Sequence, residues 1–451
     1  MNHICSDCVG EPFLRCFVIA EALNENSCDY CDSDLPSAKI WAVAEKCDKV
    51  LATFYEDSSE TMAVVHFGHV PAGTDLLTTI QELAVVSKSA ASDIMETLQT
   101  IWYNRDAGES KYGDGEPWFV LRANIESPLL TTWFEMESSL RGEARYINPK
   151  VMAFMEEIFS KISNDQTAEG ASVLVDAGPG SAYETFYRAR VFQSNAELLK
   201  ALRNPEKLLG SPPLGVGSGG RMNAAGLPAF YGATKAETAL AEVRPPVGSS
   251  VVVAQFTAIR PLKLLNLKVL GQVDLPRSAS LFDEATEVAA QRRDFLRALS
   301  GKMTLPVLPE NQDHDYLVTQ VVADYLATHP SASIDGLLYP SVQVDEGDPD
   351  ERGENIVLFH KAAKALNADS ERDTAEAELW EYEEDGPGEF FQPKILFKDV
   401  KPQYSFQYGG FQPKPALKLV SDSIEIHRVL AVKIRTDPTT VKVVKDRAVI
   451  D

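Results

Sequence analysis

The chain has 451 residues, 44% of them hydrophobic, which fits two or three globular domains. It carries 66 Asp and Glu against 43 Lys and Arg, for a formal net charge of −23. The negative electrostatic field of such a chain repels nucleic-acid phosphates, which argues against an extended groove for DNA or RNA. A few focused arginines can still bind an anionic small molecule.

No run of 18 apolar residues occurs in the sequence, which predicts no membrane span and no membrane partner. The first residues lack the basic region and apolar core of a secretion signal. We therefore expect a cytoplasmic protein whose cysteines stay reduced.

The N-terminal third is expected to be mostly helical. Ser92 is a candidate helix cap, and Asn148 followed by Pro149 is typical of a helix start. Residues 1–35 show little periodicity. Apolar residues then recur at intervals of three and four, which predicts helices at 36–55, 76–86, 93–103, 129–140 and 150–162.

Short strands and helices alternate in the rest of the chain, which indicates an α+β fold. The predicted helices are 196–202, 235–243, 285–300 and 316–328. The predicted strands are 185–192, 229–231, 250–258, 262–267, 334–339, 355–359, 417–420, 424–432 and 440–444.

Changes in composition divide the chain into segments. A small, polar stretch marks a linker, which we place at 164–180. Two acidic insertions, at 345–354 and 369–389, are expected to be solvated loops. The domains predicted are a zinc-binding segment at 1–35, a helical domain at 36–163 and a mixed α/β domain at 181–451.

Four cysteines have the spacing of a metal site. Cys5-x2-Cys8 and Cys28-x2-Cys31 are separated by 19 residues. Two such CxxC pairs fit four thiolates around one structural zinc ion, which would order a segment without its own apolar core. The alternatives are a redox pair and four unrelated thiols.

Three other residues bear on this metal site. Cys16 or His3 could replace one of the four ligands. Cys47 lies on the apolar face of a predicted helix and is expected to pack in the core.

Charged, amide and hydroxyl side chains mark the ends of predicted elements in the C-terminal domain. An arginine lies on its first strand, and a second follows a glycine-rich run. A tyrosine ends the next strand, a glutamate lies on the helix after it, and a serine follows a later strand. The candidate site residues are Arg188, Arg221, Asn223, Tyr231, Glu242 and Ser341.

The segments around these residues resemble the RES domain, a bacterial family that consumes NAD. The resemblance covers about residues 183–435. Met222 stands where the family has a tryptophan. Six short segments match in order, at 186–190, 219–226, 230–231, 237–242, 335–341 and 355–359.

The resemblance implies an ADP-ribosyltransferase-like fold and NAD as the substrate. It implies catalytic roles for Glu242, Arg188, Tyr231 and Ser341. It implies NAD-binding roles for Arg188, Arg221, Asn223, Tyr231 and Ser341.

The chemistry of NAD cleavage suits these residue types. Breaking the nicotinamide–ribose bond places positive charge on the sugar, which a carboxylate such as Glu242 stabilises. Two arginines can grip a pyrophosphate in a bidentate manner. A tyrosine can stack on nicotinamide, and glycines let the backbone approach phosphates.

Each residue also has a structural interpretation. Arg188 or Arg190 could be a surface charge on its strand. Glu242 could pair with Arg244, Tyr231 could be a core residue, and Ser341 could serve a turn. Asn223 could cap or brace its loop.

The expected function is an NAD glycohydrolase or phosphorylase acting as a toxin or defence effector. The alternatives are a protein mono-ADP-ribosyltransferase and a non-catalytic nucleotide-binding regulator. The resemblance also implies an antitoxin or other regulatory partner, and a homo-oligomer stays open. The helical N-terminal region resembles the HEPN-like region before some RES domains in outline only, because no Arg-x4–6-His motif occurs.

Overall fold

The computed structural model describes most of the chain as two compact units. The described residues are 2–22, 27–59, 61–101, 103–104, 109–112, 117–125, 127–144, 147–305, 312–329, 333–341, 343, 353–370, 373–382, 389–398, 413–433 and 436–442. The first unit comprises 1–173 with 267–305, and the second comprises 174–266 with 306–451.

In the described part of the chain, no helix is both long enough and apolar enough to traverse a lipid bilayer.

The first unit is mostly helical, as the sequence predicts. Its elements up to residue 173 are β1 (His3–Cys5), α1 (Pro12–Glu21), β2 (Ser37–Lys39), α2 (Ile40–Phe54), β3 (Tyr55–Asp57), α3 (Met62–Phe67), β4 (Thr74–Asp75), α4 (Leu76–Ala84), α5 (Lys88–Ile101), β5 (Tyr103–Asn104), β6 (Glu109–Ser110), β7 (Trp118–Leu121), α6 (Pro128–Gly142) and α7 (Pro149–Phe159).

The starts of these helices depend on local partners. Asn148 caps α7 by accepting a hydrogen bond from the Val151 N–H, with Pro149 in the first turn, as predicted. The prediction for α5 is wrong at its start, because Ser87, not Ser92, accepts the Ala90 N–H. Helix α2 begins at Ile40 because the preceding residues pair with β1 instead.

The chain continues into the second unit through β8 (Leu174–Ala177), β9 (Thr185–Phe192), α8 (Asn195–Arg203), α9 (Pro205–Leu208), β10 (Phe230–Ala233), α10 (Ala236–Glu242), β11 (Ser250–Ala258) and β12 (Leu262–Asn266). Helices α11 (Leu267–Leu270) and α12 (Glu284–Thr304) belong to the first unit. The second unit then resumes with α13 (Gln312–Thr328), β13 (Gly336–Pro340), β14 (Glu354–Leu358), β15 (Ala375–Tyr382), β16 (Glu389–Phe397), β17 (Leu417–Leu419) and β18 (Glu425–Arg428).

Among the described residues, nine strands form one mixed sheet in the second unit. The order is β17-β11-β9-β10-β14-β13-β12-β8, and β18 also pairs with β11. Strands β12 and β13 are parallel, and the other pairs are antiparallel. The segment expected to be a linker therefore contributes an edge strand, β8, to this sheet.

The two faces of the sheet have different coverings. One face buries a large apolar cluster in which the rings of Phe230 and Phe256 lie 5.1 Å apart in an edge-on arrangement. Helix α10 packs on the other face through Ala239, against Ala189 and Ala233. Small residues at these positions let the helix approach the strands closely.

The sheet opens between β9 and β10. Strand β10 pairs with β14 over four residues, whereas Ala233 opposite Tyr187 is the one pair that joins it to β9 within the described strands. Across the sheet, Tyr187, Ala233, Asn355 and Tyr339 lie in consecutive register. Because directly opposed residues share a face, these four side chains lie on the face that α10 covers.

One expectation for the acidic insertions is wrong. Residues 375–382, inside the stretch expected to be a loop, form strand β15, which pairs with β16. Ala375, Ala377 and Leu379 are buried between exposed glutamates, which is the two-residue period of a strand. Residues 345–352 of the other insertion lie outside the described residues.

The C-terminal strands agree with the sequence in two of three cases. Strands β17 and β18 lie where strands were predicted. Residues 440–442 form no strand, and 443–444 lie outside the described residues.

Candidate active site and cysteine cluster

The loop between α9 and β10 is braced from inside by Asn223, a buried residue. Its amide nitrogen lies 2.9–3.2 Å from the carbonyl oxygens of Ser218, Ala224 and Leu227. Its amide oxygen accepts a hydrogen bond of 2.7 Å from the hydroxyl of Tyr231. These partners use both ends of the amide, so the geometry favours bracing over direct contact with a ligand.

The hydroxyl of Tyr231 ties this loop to β10. It donates to Asn223 and accepts the backbone N–H of Met222 at 3.0 Å. Burial raises the pKa of Tyr231 to about 12, so the hydroxyl stays protonated at neutral pH. The backbone at Gly220 passes so close that a Cβ there would lie 2.6 Å from this hydroxyl.

Helix α13 holds the same loop from outside. Gln320 donates to the carbonyl of Gly220 at 2.8 Å, and Thr319 donates to the carbonyl of Arg221 at 2.6 Å. The guanidinium of Arg221 lies over the ring of Tyr316, 5.9 Å from its centre. The backbone of the loop at Gly220 and Arg221 is therefore held by helix α13.

Arg188 lies at the opening between β9 and β10. Its Nη1 donates to the carbonyl of Tyr231 at 2.9 Å, and its guanidinium lies 5.2 Å from the ring centre of Phe230. Its Nε is buried and has no hydrogen-bond partner in the described part of the chain. Burial, and next the charge of Arg190, lowers the pKa of Arg188 to about 10, so it remains charged at neutral pH.

The neighbouring Arg190 has a local role. Its guanidinium donates to the carbonyl of Leu208 at the end of α9. Of the two strand arginines, Arg188 is the one whose Nε is buried without a partner in the described part of the chain.

Glu242 is the last residue of α10, and its side chain is exposed. Its Oε2 accepts a hydrogen bond of 3.2 Å from the amide nitrogen of Asn355 on β14. The alternative pairing is absent, because no ion pair joins Glu242 to Arg244 among the residues the structure describes. Glu237 is exposed in the first turn of the same helix.

Tyr339 and Asn355 complete the surroundings of Glu242. They are directly opposed on β13 and β14, and both are nearly buried. Burial raises the pKa of Tyr339 above its usual range, the charge of Glu242 raises it further, and the charge of Arg221 lowers it. Glu242 and Arg221, from neighbouring segments of the chain, therefore both act on a tyrosine of a much later strand.

The sequence motifs contained Tyr339 and Asn355 but gave neither a role. The available signal was polarity, because each is a polar residue whose buried neighbours on the same strand have no polar side chain.

Ser341 follows the end of β13 and is buried. Its hydroxyl accepts the backbone N–H of Gln343 at 3.3 Å, and its own N–H donates to the carbonyl of Gly353 at 3.4 Å. These contacts are those of a turn, and the predicted role toward NAD stays a prediction.

The four predicted cysteine ligands lie together in the first unit. The Sγ atoms of Cys5, Cys8, Cys28 and Cys31 are all within 4.8 Å of one another. Cys5 and Cys31 are 3.5 Å apart, and Cys8 and Cys28 are 3.8 Å apart. Tetrahedral zinc with Zn–S bonds of about 2.3 Å requires sulfurs about 3.8 Å apart. The cluster therefore has the donors and spacing to hold a metal ion.

Neither of the alternative ligands belongs to this cluster. Cys16 is exposed on α1, and His3 lies 3.9 Å from the carboxylate of Asp29. Backbone N–H groups of Cys5 and Tyr30 point at the sulfur of Cys28, each at 3.4 Å. Such N–H···S contacts stabilise a thiolate ligand.

The second unit is thus a mixed sheet with an arginine in its opening and a carboxylate at one helix end. Residues 185–382 match the family model of the RES domain, so this part of the chain is a RES domain. The match confirms the resemblance found in the sequence motifs and contains all six predicted site residues.

No curated protein matches the chain in sequence. Among solved structures, the crystal structure of the M. tuberculosis MbcT–MbcA toxin–antitoxin complex has 15% sequence identity to the chain. The similarity covers 46% of this chain and 81% of that chain, with a TM-score of 0.21.

Proposed function

We propose that this protein consumes NAD by cleaving the bond between nicotinamide and ribose. The RES match over residues 185–382 supports an NAD-related activity in general terms. The reaction itself is supported by one observation, the exposed carboxylate of Glu242. It is anchored by Asn355 and lies close enough to Tyr339 to influence its ionisation.

In this proposal Glu242 stabilises the positive charge that develops on the ribose as nicotinamide leaves. Arg188 and Arg221 bind the pyrophosphate, for which Arg188 offers its unpartnered Nε. Tyr231 contributes its ring rather than its hydroxyl, which the loop already uses. Ser341 hydrogen-bonds the carboxamide or the ribose.

Two further assignments belong to the proposal. The cysteine cluster binds a structural zinc ion, because four thiolates form the donor set that zinc prefers. The protein acts as a toxin or defence effector that a protein partner restrains.

Incubation of the purified chain with NAD, with and without phosphate, followed by chromatography of the products, tests the reaction. We expect nicotinamide release, and we expect Glu242→Gln to lower it by roughly 10²–10³-fold while NAD still binds. Glu237→Gln, which removes an exposed carboxylate near the start of the same helix, is the matched control and should keep full activity.

The products separate the alternatives. A requirement for phosphate indicates phosphorolysis, and its absence indicates hydrolysis. ADP-ribose left on protein would favour a mono-ADP-ribosyltransferase. NAD binding without nicotinamide release, or equal loss of binding and release in Glu242→Gln, would contradict a catalytic role for this carboxylate.

A further inference from the structure

Asn355 is a buried amide in a strand that otherwise contributes to an apolar core. Ile356, Val357 and Leu358, which follow it on β14, are fully buried. An amide at such a position must find hydrogen-bond partners or it weakens the fold. The amide nitrogen of Asn355 has a hydrogen-bond partner, whereas the amide oxygen has none among the described residues.

Glu242 fixes the orientation of this amide. A carboxylate accepts hydrogen bonds and donates none, so the –NH2 end of Asn355 must face Oε2 of Glu242, as it does at 3.2 Å. The amide oxygen then points elsewhere, and in the described part of the chain it is buried without a donor. Turning the amide round would set two oxygens against each other and leave the –NH2 group orphaned.

The unsatisfied amide oxygen indicates that stability does not explain the presence of an asparagine at position 355. A buried acceptor without a partner opposes folding, and an aliphatic side chain of similar size would avoid that cost. The hydrogen bond that Asn355 does make goes to an exposed side chain, which does little for stability. The residue is therefore unfavourable for the core but well placed for the site.

We infer that Asn355 is a positioning residue, which acts through Glu242 by holding its carboxylate in the orientation used for bond cleavage. This inference rests on the proposed NAD-cleaving function. Asn355 Nδ2 is the hydrogen-bond donor to the side chain of Glu242 in the described structure. Without it, the exposed carboxylate is free to rotate into solvent, and a misplaced catalytic group loses rate.

Asn355→Leu, which removes the donor and the orphaned oxygen together, tests the inference. We expect kcat for nicotinamide release to fall by on the order of 10–100-fold while KM for NAD changes by less than about threefold, because the lost interaction acts in the transition state. The melting temperature should stay level or rise, whereas a merely structural asparagine would lower it when replaced.

Two additional variants make the test specific. Adding Asn355→Leu to Glu242→Gln should cause no further loss, because both changes remove the same interaction. Asn355→Asp, which keeps the shape of the side chain, should move the acid limb of the activity–pH profile to higher pH, because two carboxylates then share the site.

The outcomes distinguish this inference from the proposed function. If wild-type protein releases no nicotinamide, both fail. If wild-type activity requires Glu242 but Asn355→Leu keeps the wild-type kcat, the inference alone is overturned. A further loss in the double variant, or a folded Asn355→Asp variant with the wild-type pH profile, would also overturn it.

Discussion

At the C-terminal end of α10, the carboxylate of Glu242 lies where the helix dipole is negative. A negative side chain at that end costs stability, and the amide of Asn355 that holds it carries a buried, unsatisfied oxygen. Glu242 and Asn355, which contact each other, are thus both residues that lower the stability of the fold. Departures of this kind concentrate at functional sites, which agrees with the role proposed for Glu242.

Tyr231 is a residue whose pH behaviour can be predicted. Its pKa is raised to about 12, so the neutral phenol is favoured in the folded state over the unfolded one. Its contribution to stability is therefore complete below the unfolded value near 10 and is lost as the pH rises through about 12.

We expect Tyr231→Phe to lower the free energy of unfolding at pH 8 by about 1–2 kcal/mol, because the hydrogen bonds to Met222 and Asn223 are lost. Denaturant unfolding of both proteins between pH 8 and 11.5 measures this. The difference between wild type and variant should shrink toward the alkaline end. A constant difference would contradict the assignment to the phenol.

At the scale of elements, the loop before β10 is held between two supports. Asn223 and Tyr231 brace it from within, and Thr319 and Gln320 of α13 hold its carbonyls. The sheet opens beside it, where β9 and β10 part and Arg188 fills the gap. An opening in a sheet next to a fixed loop is a place where a ligand can reach otherwise buried donors.

A substitution at Gly220 tests whether the close packing of this loop supports NAD binding. A Cβ there would lie 2.6 Å from the Tyr231 hydroxyl and 2.7 Å from the Asn223 amide oxygen. We expect Gly220→Ala to displace the hydroxyl, to lower stability by about 1–3 kcal/mol and to weaken NAD binding. Calorimetry with NAD measures the binding.

Gly219→Ala is the adjacent control, because its Cβ would meet the Ala225 nitrogen at 3.4 Å, an ordinary contact. The control variant should behave as wild type. If both variants bind NAD equally well, close packing at Gly220 does not support the site.

At the scale of the whole molecule, the compact units do not follow the order of the chain. Residues 267–305, between β12 and α13, group with the N-terminal unit rather than with the sheet. Within that unit Arg292 of α12 forms a bidentate pair with Asp165 at 2.7–2.8 Å and donates to the carbonyl of Ile158. Charge-assisted contacts between residues more than 120 positions apart leave no periodic pattern in the sequence.

The cysteine cluster gives a prediction for the N-terminal unit. We expect the purified chain to carry about one equivalent of zinc, and we expect Cys28→Ser to lose it and to melt at a lower temperature, because metal binding contributes to folding. Metal analysis with thermal unfolding measures both. Cys16→Ser is the control, since Cys16 is exposed and outside the cluster. Equal metal content in the two variants would refute the assignment of Cys28 as a ligand.

The sequence by itself determined the local features of this protein. Helical periodicity located α2, α4 and α7, and alternation located β9, because those patterns depend on neighbouring residues. The two CxxC pairs predicted the cysteine cluster, and six ordered motifs indicated the RES domain. The many acidic residues of 369–389 led to the prediction of a loop. The alternation of apolar and acidic residues in β15 was the better indicator of its structure.

Tertiary structure decided which residues meet. No spacing in the sequence links Glu242 to Asn355, 113 residues away, or places Arg188 beside the carbonyl of Tyr231. Those contacts depend on the strand order and on the single pair that joins β10 to β9 among the described strands. Register across a sheet is set by packing of the whole unit, so the partners of a polar side chain emerge when the strands are assembled.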